Sequence, residues 1–279
     1  MAASIFKASE NIEEKVFVVT GGAAGVGAGV VRALLAENAR HVAFLDIAER
    51  EGAALEAELL NKFGALRAKF IKCDIADESQ LNSAFMQVID KYRRLDGVIN
   101  NAAVLNTDET RNFKKIIDIN FTATIQSSLL ALNFMRVDKS GTGGIILNIS
   151  SLWALRGDSQ LPVYAATKTA VLHFSNSIGG IQHNSKTNVR VITVCLGPTD
   201  TAILHRHNLE KNEDCLPSNS EERQRVESAV SGIIEVICKG RSGTTWMVAS
   251  DDPAVEITKN ITESFEVLCR GVNELLIGP

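Results

Sequence analysis

The chain predicts an α/β fold: a doubly wound parallel sheet with helices on both faces. Three observations carry this. Short strand-like runs alternate with helical patterns along the chain, with short links between them. The strands are apolar nearly throughout, as strands covered on both faces must be. The first strand runs directly into a glycine-rich turn and then a helix. The chain has 279 residues, 45% hydrophobic and 22% charged, which suits a globular protein with a large core. No repeat or linker divides it, so one domain over residues 1–279 is expected.

The elements follow in order. Residues 16–20 form a β-branched strand, and Gly21-Gly22-Ala23-Ala24-Gly25-Val26-Gly27 forms the turn. Glycines permit the tight turn and a close backbone approach. The helix over about residues 28–37 then aims free N–H groups at an anion such as a diphosphate. A glycine triplet alone also fits an ordinary β-α turn; its place between strand and helix favours the nucleotide. The second strand, residues 41–46, ends at Asp46, nineteen residues after Gly27. A carboxylate there accepts hydrogen bonds from the adenosine ribose and repels a 2′-phosphate, favouring NAD over NADP. Ile47, Ala23 and Ala24 offer no cation for such a phosphate; the alternative reading of Asp46 is a strand cap. Helix 49–63, strand 68–72, helix 78–92 and strand 96–100 come next. A long helical region spans about 110–136, an apolar strand 144–149, a helix from Pro162 to about 183, and a sixth strand 189–195.

Charge and cysteine usage exclude several classes. The net charge of −4 with no basic block argues against nucleic acid and anionic membrane as partners. No apolar run is long enough to span a bilayer, and residues 1–15 lack the apolar core of a secretory signal. Five scattered cysteines, an odd number, suggest free buried thiols and a cytoplasmic location. The sequons at Asn120, Asn148 and Asn260 then have no meaning. His205-x-His207 with Cys215 is too short a ligand set, so no metal site is expected. Residues 204–225 are polar and broken by Pro217, which reads equally as a substrate lid or a solvated loop.

Tyr164 and Lys168 lie four apart on one helical face. An ammonium beside a phenol favours the phenolate, giving a general base or acid. Ser151 lies thirteen residues upstream, past an apolar strand, where such sheets assemble their sites.

Taken together these motifs resemble the classical short-chain dehydrogenase/reductase family, with its Rossmann-type sheet. Thr20-Gly21-x-x-x-Gly25-x-Gly27 resembles the cofactor turn, Cys73-Asp74-Ile75 the adenine contact, and Asn100-Asn101-Ala102-Ala103 the family's Asn-Asn-Ala-Gly. Asn120, Ser151, Tyr164 and Lys168 match the catalytic tetrad. Residues 143–152, Pro162-Val163-Tyr164 and Thr201-Ala202-Ile203 are most similar to the prostaglandin dehydrogenase and insect-type alcohol dehydrogenase group. The resemblance implies NAD held by Thr20, Gly21, Gly25, Val26, Gly27, Asp46, Ile47, Cys73, Asp74, Ile75, Asn101, Ala102, Ala103, Tyr164, Lys168, Thr199 and Thr201. Within the group, Tyr164 takes the hydroxyl proton, Lys168 lowers its pKa and binds the nicotinamide ribose, Ser151 steadies the substrate oxygen, and Asn120 holds a relay water.

Three positions depart from the pattern. Ala103 replaces the final glycine, Leu196-Gly197-Pro198 replaces Pro-Gly, and Leu161 stands where prostaglandin dehydrogenases carry glutamine. Leu152, Trp153, Leu155 and Leu161 read equally as ordinary core or as a greasy pocket for a medium-sized apolar alcohol (a terpenoid, retinoid, steroid or fatty alcohol), with Ser151, Trp153, Leu161 and Tyr164 as substrate contacts. The expected activity is NAD-dependent alcohol oxidation; carbonyl reduction and a non-catalytic NAD-binding scaffold are the alternatives. The family pairs helices corresponding to about 110–136 and 162–183 across a two-fold axis, so a homodimer or homotetramer is expected.

Overall fold

The structure is a computed structural model that describes residues 11–105, 108–205 and 223–270. Its elements are β1 (Val16–Thr20), α1 (Gly25–Ala36), β2 (His41–Asp46), α2 (Glu49–Phe63), β3 (Ala68–Lys72), α3 (Glu78–Tyr92), β4 (Gly97–Asn100), α4 (Glu109–Ile117) and α5 (Ala123–Met135). Then follow β5 (Gly144–Ser151), α6 (Pro162–Ile178), α7 (Ile181–Thr187), β6 (Val189–Leu196), α8 (Ala202–His205), α9 (Val226–Lys239), β7 (Thr245–Val248), β8 (Val255–Glu256) and α10 (Thr258–Cys269). The strands form one sheet in the order β3-β2-β1-β4-β5-β6-β7-β8. All pairings are parallel except β7 with β8. The chain leaves β1 toward β2 and β3, then crosses to β4 on the other side. This reversal opens a crevice at the carboxyl ends of β1 and β4.

Alternation along each strand explains the all-apolar runs. Phe17, Val19, Phe44, Ile99, Leu147 and Ile192 pack with α1, α2 and α9 on one face. Val16, Val18, Leu45, Val98, Ile146 and Val191 pack with α3 and α5 on the other. Both faces are dry, so neither parity of residue can be polar. Some of the polar groups that do enter pair with one another, although Asn100 Oδ1, Ser127 Oγ and Thr193 Oγ1 find no partner. Asn100 Nδ2 donates to Asn148 Oδ1 at 2.7 Å, and Asn148 Nδ2 donates to Ser175 Oγ at 2.8 Å. Asp96 Oδ2 accepts the Val16 N–H at 2.8 Å and ties the start of β1 to β4.

Several expectations are corrected. The sheet has eight strands rather than six; β7 and the antiparallel β8 follow an unforeseen α9. The long helix over 110–136 is two helices joined by a π-helical turn at Asp118–Thr122. The helix from Pro162 stops at Ile178, where Gly179 and Gly180 intervene before α7. The first helix starts at Gly25, inside the glycine turn, and Ser151 is the last residue of β5 rather than beyond it. Of the segment 204–225, residues 206–222 lie outside the described residues, and His207, Cys215 and Pro217 with them. Part of the stretch beyond residue 250 forms α10. Among the described residues no helix is long and apolar enough to cross a membrane. Cys73 and Cys195 are buried, and burial pushes their thiols up to about 11 and about 12, so they are inert. Cys238 and Cys269 are only partly buried, contrary to expectation.

His41, 1% exposed at the head of β2, stacks on Tyr92 with ring centroids 4.2 Å apart. Its Nδ1 lies 2.8 Å from the Leu66 carbonyl oxygen and 2.7 Å from the Tyr92 hydroxyl. Burial pushes its pKa down to about 4 from the ordinary 6.5. Between those values the unfolded chain binds the extra proton, so stability is complete above pH 6.5 and falls as pH drops toward 4. This contributes about 3 kcal/mol over the interval. Urea titrations at pH 7.5 and 4.5 check it: the wild type is expected to lose that much more stability between the two than His41→Gln.

Candidate active site

The carboxyl edge of the sheet carries two clusters of predicted residues. The first surrounds the glycine turn. Gly21 and Gly25 adopt φ of +64° and +53°, a region L side chains rarely enter. A Cβ on Gly27 would lie 2.0 Å from the Gly21 carbonyl oxygen, so the turn closes on itself only with glycine there. The first α1 hydrogen bond runs from the Ala28 N–H to the Ala24 carbonyl; the N–H groups of Gly25, Val26 and Gly27 precede the ladder. Asn101 Nδ2 donates to the Thr20 and Gly21 carbonyls at 3.0 and 3.1 Å. Thr20 Oγ1 accepts the Asn101 and Ala102 N–H groups, both at 3.1 Å. Thr20 and Asn101 thus lock β1 to the connection after β4, with Ala102 and Ala103 beside them.

Asp46 is both a structural acceptor and a candidate ribose contact. Its Oδ2 accepts the Ala23 N–H and its Oδ1 the Ala48 N–H, each at 3.0 Å. A carboxylate offers about four acceptor sites, so two hydroxyls can still be bound. Next to it Ile47 is 65% exposed, and Cys73 donates its N–H to the Asp46 carbonyl. Ile75 is buried and Asp74 exposed beyond it. Thr201 faces the glycine turn: a Cβ on Gly25 would lie 3.3 Å from its methyl. Thr199 turns inward instead, donating to the Gly197 carbonyl at 3.0 Å and accepting from Gln224 Nε2 at 3.0 Å. The set fits a dinucleotide: a glycine cradle, helix N–H groups and a spare carboxylate.

The second cluster lies over β5. Lys168 Nζ donates to the Ile149 carbonyl at 2.9 Å, and Ser150 Oγ donates to the Lys168 carbonyl at 2.8 Å, stitching α6 to the strand that ends in Ser151. Lys168 Nζ sits 5.7 Å from the Tyr164 ring centroid. Trp153 meets that ring edge-on at 6.0 Å, and Leu161 and Leu105 complete the apolar cluster. Leu152 packs elsewhere, with Ala154, Leu172 and Cys195, and Leu155 is exposed, so neither belongs to this wall. Burial pushes the Tyr164 phenol up to about 12, against the pull of a hydrogen bond with Ser151, and pushes Lys168 down to about 8. Burial of the phenol outweighs the Ser151 hydrogen bond, and the Lys168 ammonium, directed at the Ile149 carbonyl, adds no pull toward neutrality.

Asn120 belongs to the π-helical turn and is fully buried. Its Oδ1 accepts the Val104 N–H at 2.8 Å, and its Nδ2 donates to the Val104 carbonyl at 2.9 Å and Thr167 Oγ1 at 3.4 Å. The amide therefore clamps the connection after β4. Three residues went unforeseen. Gln224 Nε2 also donates to the Val248 carbonyl at 3.1 Å, anchoring the end of the segment 204–225. Asp158 Oδ2 accepts from Trp153 Nε1 at 2.6 Å. Glu109, buried on α4, accepts two N–H groups of α6. Asp158 had a local signal, an aspartate opening a turn; Glu109 had none.

A nucleotide cradle and a Ser-Tyr-Lys cluster on one sheet edge define a Rossmann-type oxidoreductase. The chain belongs to the short chain dehydrogenase family, whose profile matches residues 15–212. It is 37% identical over 204 residues to the 15-hydroxyprostaglandin dehydrogenase [NAD(+)] of Homo sapiens, spanning 73% of this chain and 74% of that one. To alcohol dehydrogenase 2 of Ceratitis cosyra it is 31% identical over 186 residues, 67% of this chain and 70% of that one. The crystal structure of levodione reductase shares the fold, with a TM-score of 0.75 over 86% of this chain and 97% of that one, at 19% identity.

The Asn120 clamp yields a stability prediction. Asn120→Ala strands the part-buried backbone groups of Val104 and is expected to cost about 1 kcal/mol, read from urea unfolding midpoints. A loss under about 0.5 kcal/mol would mean the clamp carries no weight.

Proposed function

We propose that the protein is an NAD-dependent dehydrogenase that oxidises the hydroxyl of a medium-sized apolar alcohol. The observation that carries this reading is the convergence of Ser151, Tyr164 and Lys168 at the carboxyl edge, beside the apolar wall of Trp153 and Leu161. NAD, when bound, accepts the hydride from the alcohol carbon. Tyr164 as phenolate takes the hydroxyl proton. Lys168, with a pKa near 8, is mostly cationic at neutral pH and lies over the Tyr164 ring, 5.7 Å from its centroid. Ser151 donates to the substrate oxygen as its bond order rises. Trp153 and Leu161 exclude water and select an apolar chain. We assign Asn120 the clamping role rather than a water relay, because Val104 engages both ends of its amide.

Asp46 supports NAD over NADP, as does the NAD(+) in the name of the prostaglandin dehydrogenases. One observation favours the reverse direction as a second reading. A phenol pushed up to about 12 stays protonated at neutral pH, the form that donates to a carbonyl in reduction. We further propose one domain and a homo-oligomer, the latter supported by the exposed Phe113, Ile117 and Leu129 on α4 and α5. We also propose a cytoplasmic location, which the buried free thiols of Cys73 and Cys195 support.

NADH formation at 340 nm with a panel of primary and secondary apolar alcohols tests the reading. Turnover is expected, falling at least about hundredfold in Tyr164→Phe. Carbonyl reduction by NADH without alcohol oxidation would establish the second reading instead, and an unaffected Tyr164→Phe would sink both. Asp46→Asn keeps one structural acceptor and is expected to raise the NADP-to-NAD ratio of kcat/KM about tenfold. An unchanged ratio would remove Asp46 from cofactor selection.

A further inference from the structure

The start of α6 has no capping side chain of its own: Leu161 occupies the cap position and Pro162 follows. Every backbone donor there is nonetheless matched. Asp158 Oδ1 accepts the N–H groups of Gln160 and Leu161 at 2.8 and 3.1 Å. Pro162 has no N–H to satisfy. Glu109 Oε2 accepts the Val163 N–H at 2.6 Å and Oε1 accepts the Tyr164 N–H at 2.8 Å. The Ala165 N–H then opens the helical ladder onto Leu161 at 2.9 Å.

Glu109 is therefore the cap of α6, supplied by the first residue of another helix. It is 6% exposed, and a carboxylate at a helix N-terminus is favoured by the helix dipole as well as by the two bonds. One of those bonds is to Tyr164 itself. We propose that Glu109 is a positioning residue for the reaction: its two-pronged bond fixes the first turn of α6 and so holds the Tyr164 phenol in register with Ser151. The proposal rests on the reading of Tyr164 as the proton-transferring group.

The chemistry of the cap gives a graded test. A carboxylate accepts both N–H groups with separate oxygens; an amide has one acceptor oxygen; alanine has none. Glu109→Gln and Glu109→Ala are assayed beside Tyr164→Phe with the best alcohol of the panel. Expected are kcat losses of about tenfold and about hundredfold, with the KM for NAD and the NADH dissociation constant within about twofold of wild type. Amide hydrogen exchange at Val163 and Tyr164 is expected to quicken at least about tenfold in the alanine variant.

If Glu109→Ala fails to fold, Glu109→Gln decides. A lowered melting temperature with unchanged kcat would make Glu109 a stabilising cap only and overturn the proposal. Turnover surviving in Tyr164→Phe would instead overturn the assignment of Tyr164, and the positioning role with it. The two failures are distinguished by which variant keeps its kcat.

Discussion

Where a parallel sheet ends at its carboxyl edge, the strand ladder stops and the chain turns irregularly. The backbone N–H groups there lose their strand partners, and leaving them buried and unpaired costs more than a single hydrogen bond gains. This constraint organises the site. Asp46 serves Ala23 and Ala48, Thr20 serves Asn101 and Ala102, Asn120 serves Val104, Asp158 serves Gln160 and Leu161, and Glu109 serves Val163 and Tyr164. Four of the five are carboxylates or amides with more than one polar atom; Thr20 serves two N–H groups with its single hydroxyl oxygen. Two of them, Asp46 and Thr20, are also proposed cofactor contacts; Asn120, Asp158 and Glu109 hold the loops without touching a ligand.

The electrostatics of the second cluster follow from burial before pairing. Tyr164 and Lys168 are 8% and 3% exposed. Desolvation penalises the charged form of each, so it drives the phenol up and the ammonium down. The lysine charge is spread between the Ile149 carbonyl, 2.9 Å away, and the ring face at 5.7 Å. A carbonyl that close stabilises the ammonium without lowering the phenol. The tyrosine's partners, Ser151 and the Trp153 edge, are neutral. Spacing four apart on a helix says that two side chains share a face; it does not say which of burial or attraction governs them.

Much of the fold was legible because it is written in local patterns. Apolar runs such as residues 16–19 and 144–149 mark doubly covered strands, and the glycine turn after Thr20 marks the switch point. Asn120, Ser151, Tyr164 and Lys168 were singled out by spacing and resemblance, and the fold brings Ser151, Tyr164 and Lys168 to one edge of the sheet. What escaped was either overlooked pattern or information with no local form. The α9 stripe of Ala229, Val230, Ile233, Val236 and Ile237 has helical periodicity and was readable. β8 is two exposed residues and carries no strand signal. The π-helical turn inserts one residue into an otherwise continuous helical pattern, and no composition marks it. Glu109 reads as an ordinary first-turn glutamate of its own helix. Its partners lie 54 and 55 residues on, and only the tertiary fold joins them.

The two clusters hang on different parts of the sheet, the cradle on β1 and the Ser-Tyr-Lys group on β5 and α6. The connection after β4 reaches both. Asn101 at its start bonds the glycine turn, Val104 is gripped by Asn120, and Glu109 at the head of α4 grips α6. Hydride transfer needs its two carbons in near contact, and a misplacement of about 1 Å is felt about hundredfold in rate. A sheet edge alone fixes strand ends to within the play of their loops. Side-chain bonds near the two ends of this connection tie it to the cradle on one side and to the turn carrying Tyr164 on the other. On this argument the alignment of the glycine cradle with the Ser-Tyr-Lys cluster depends less on either cluster than on polar residues such as Asn101, Asn120 and Glu109.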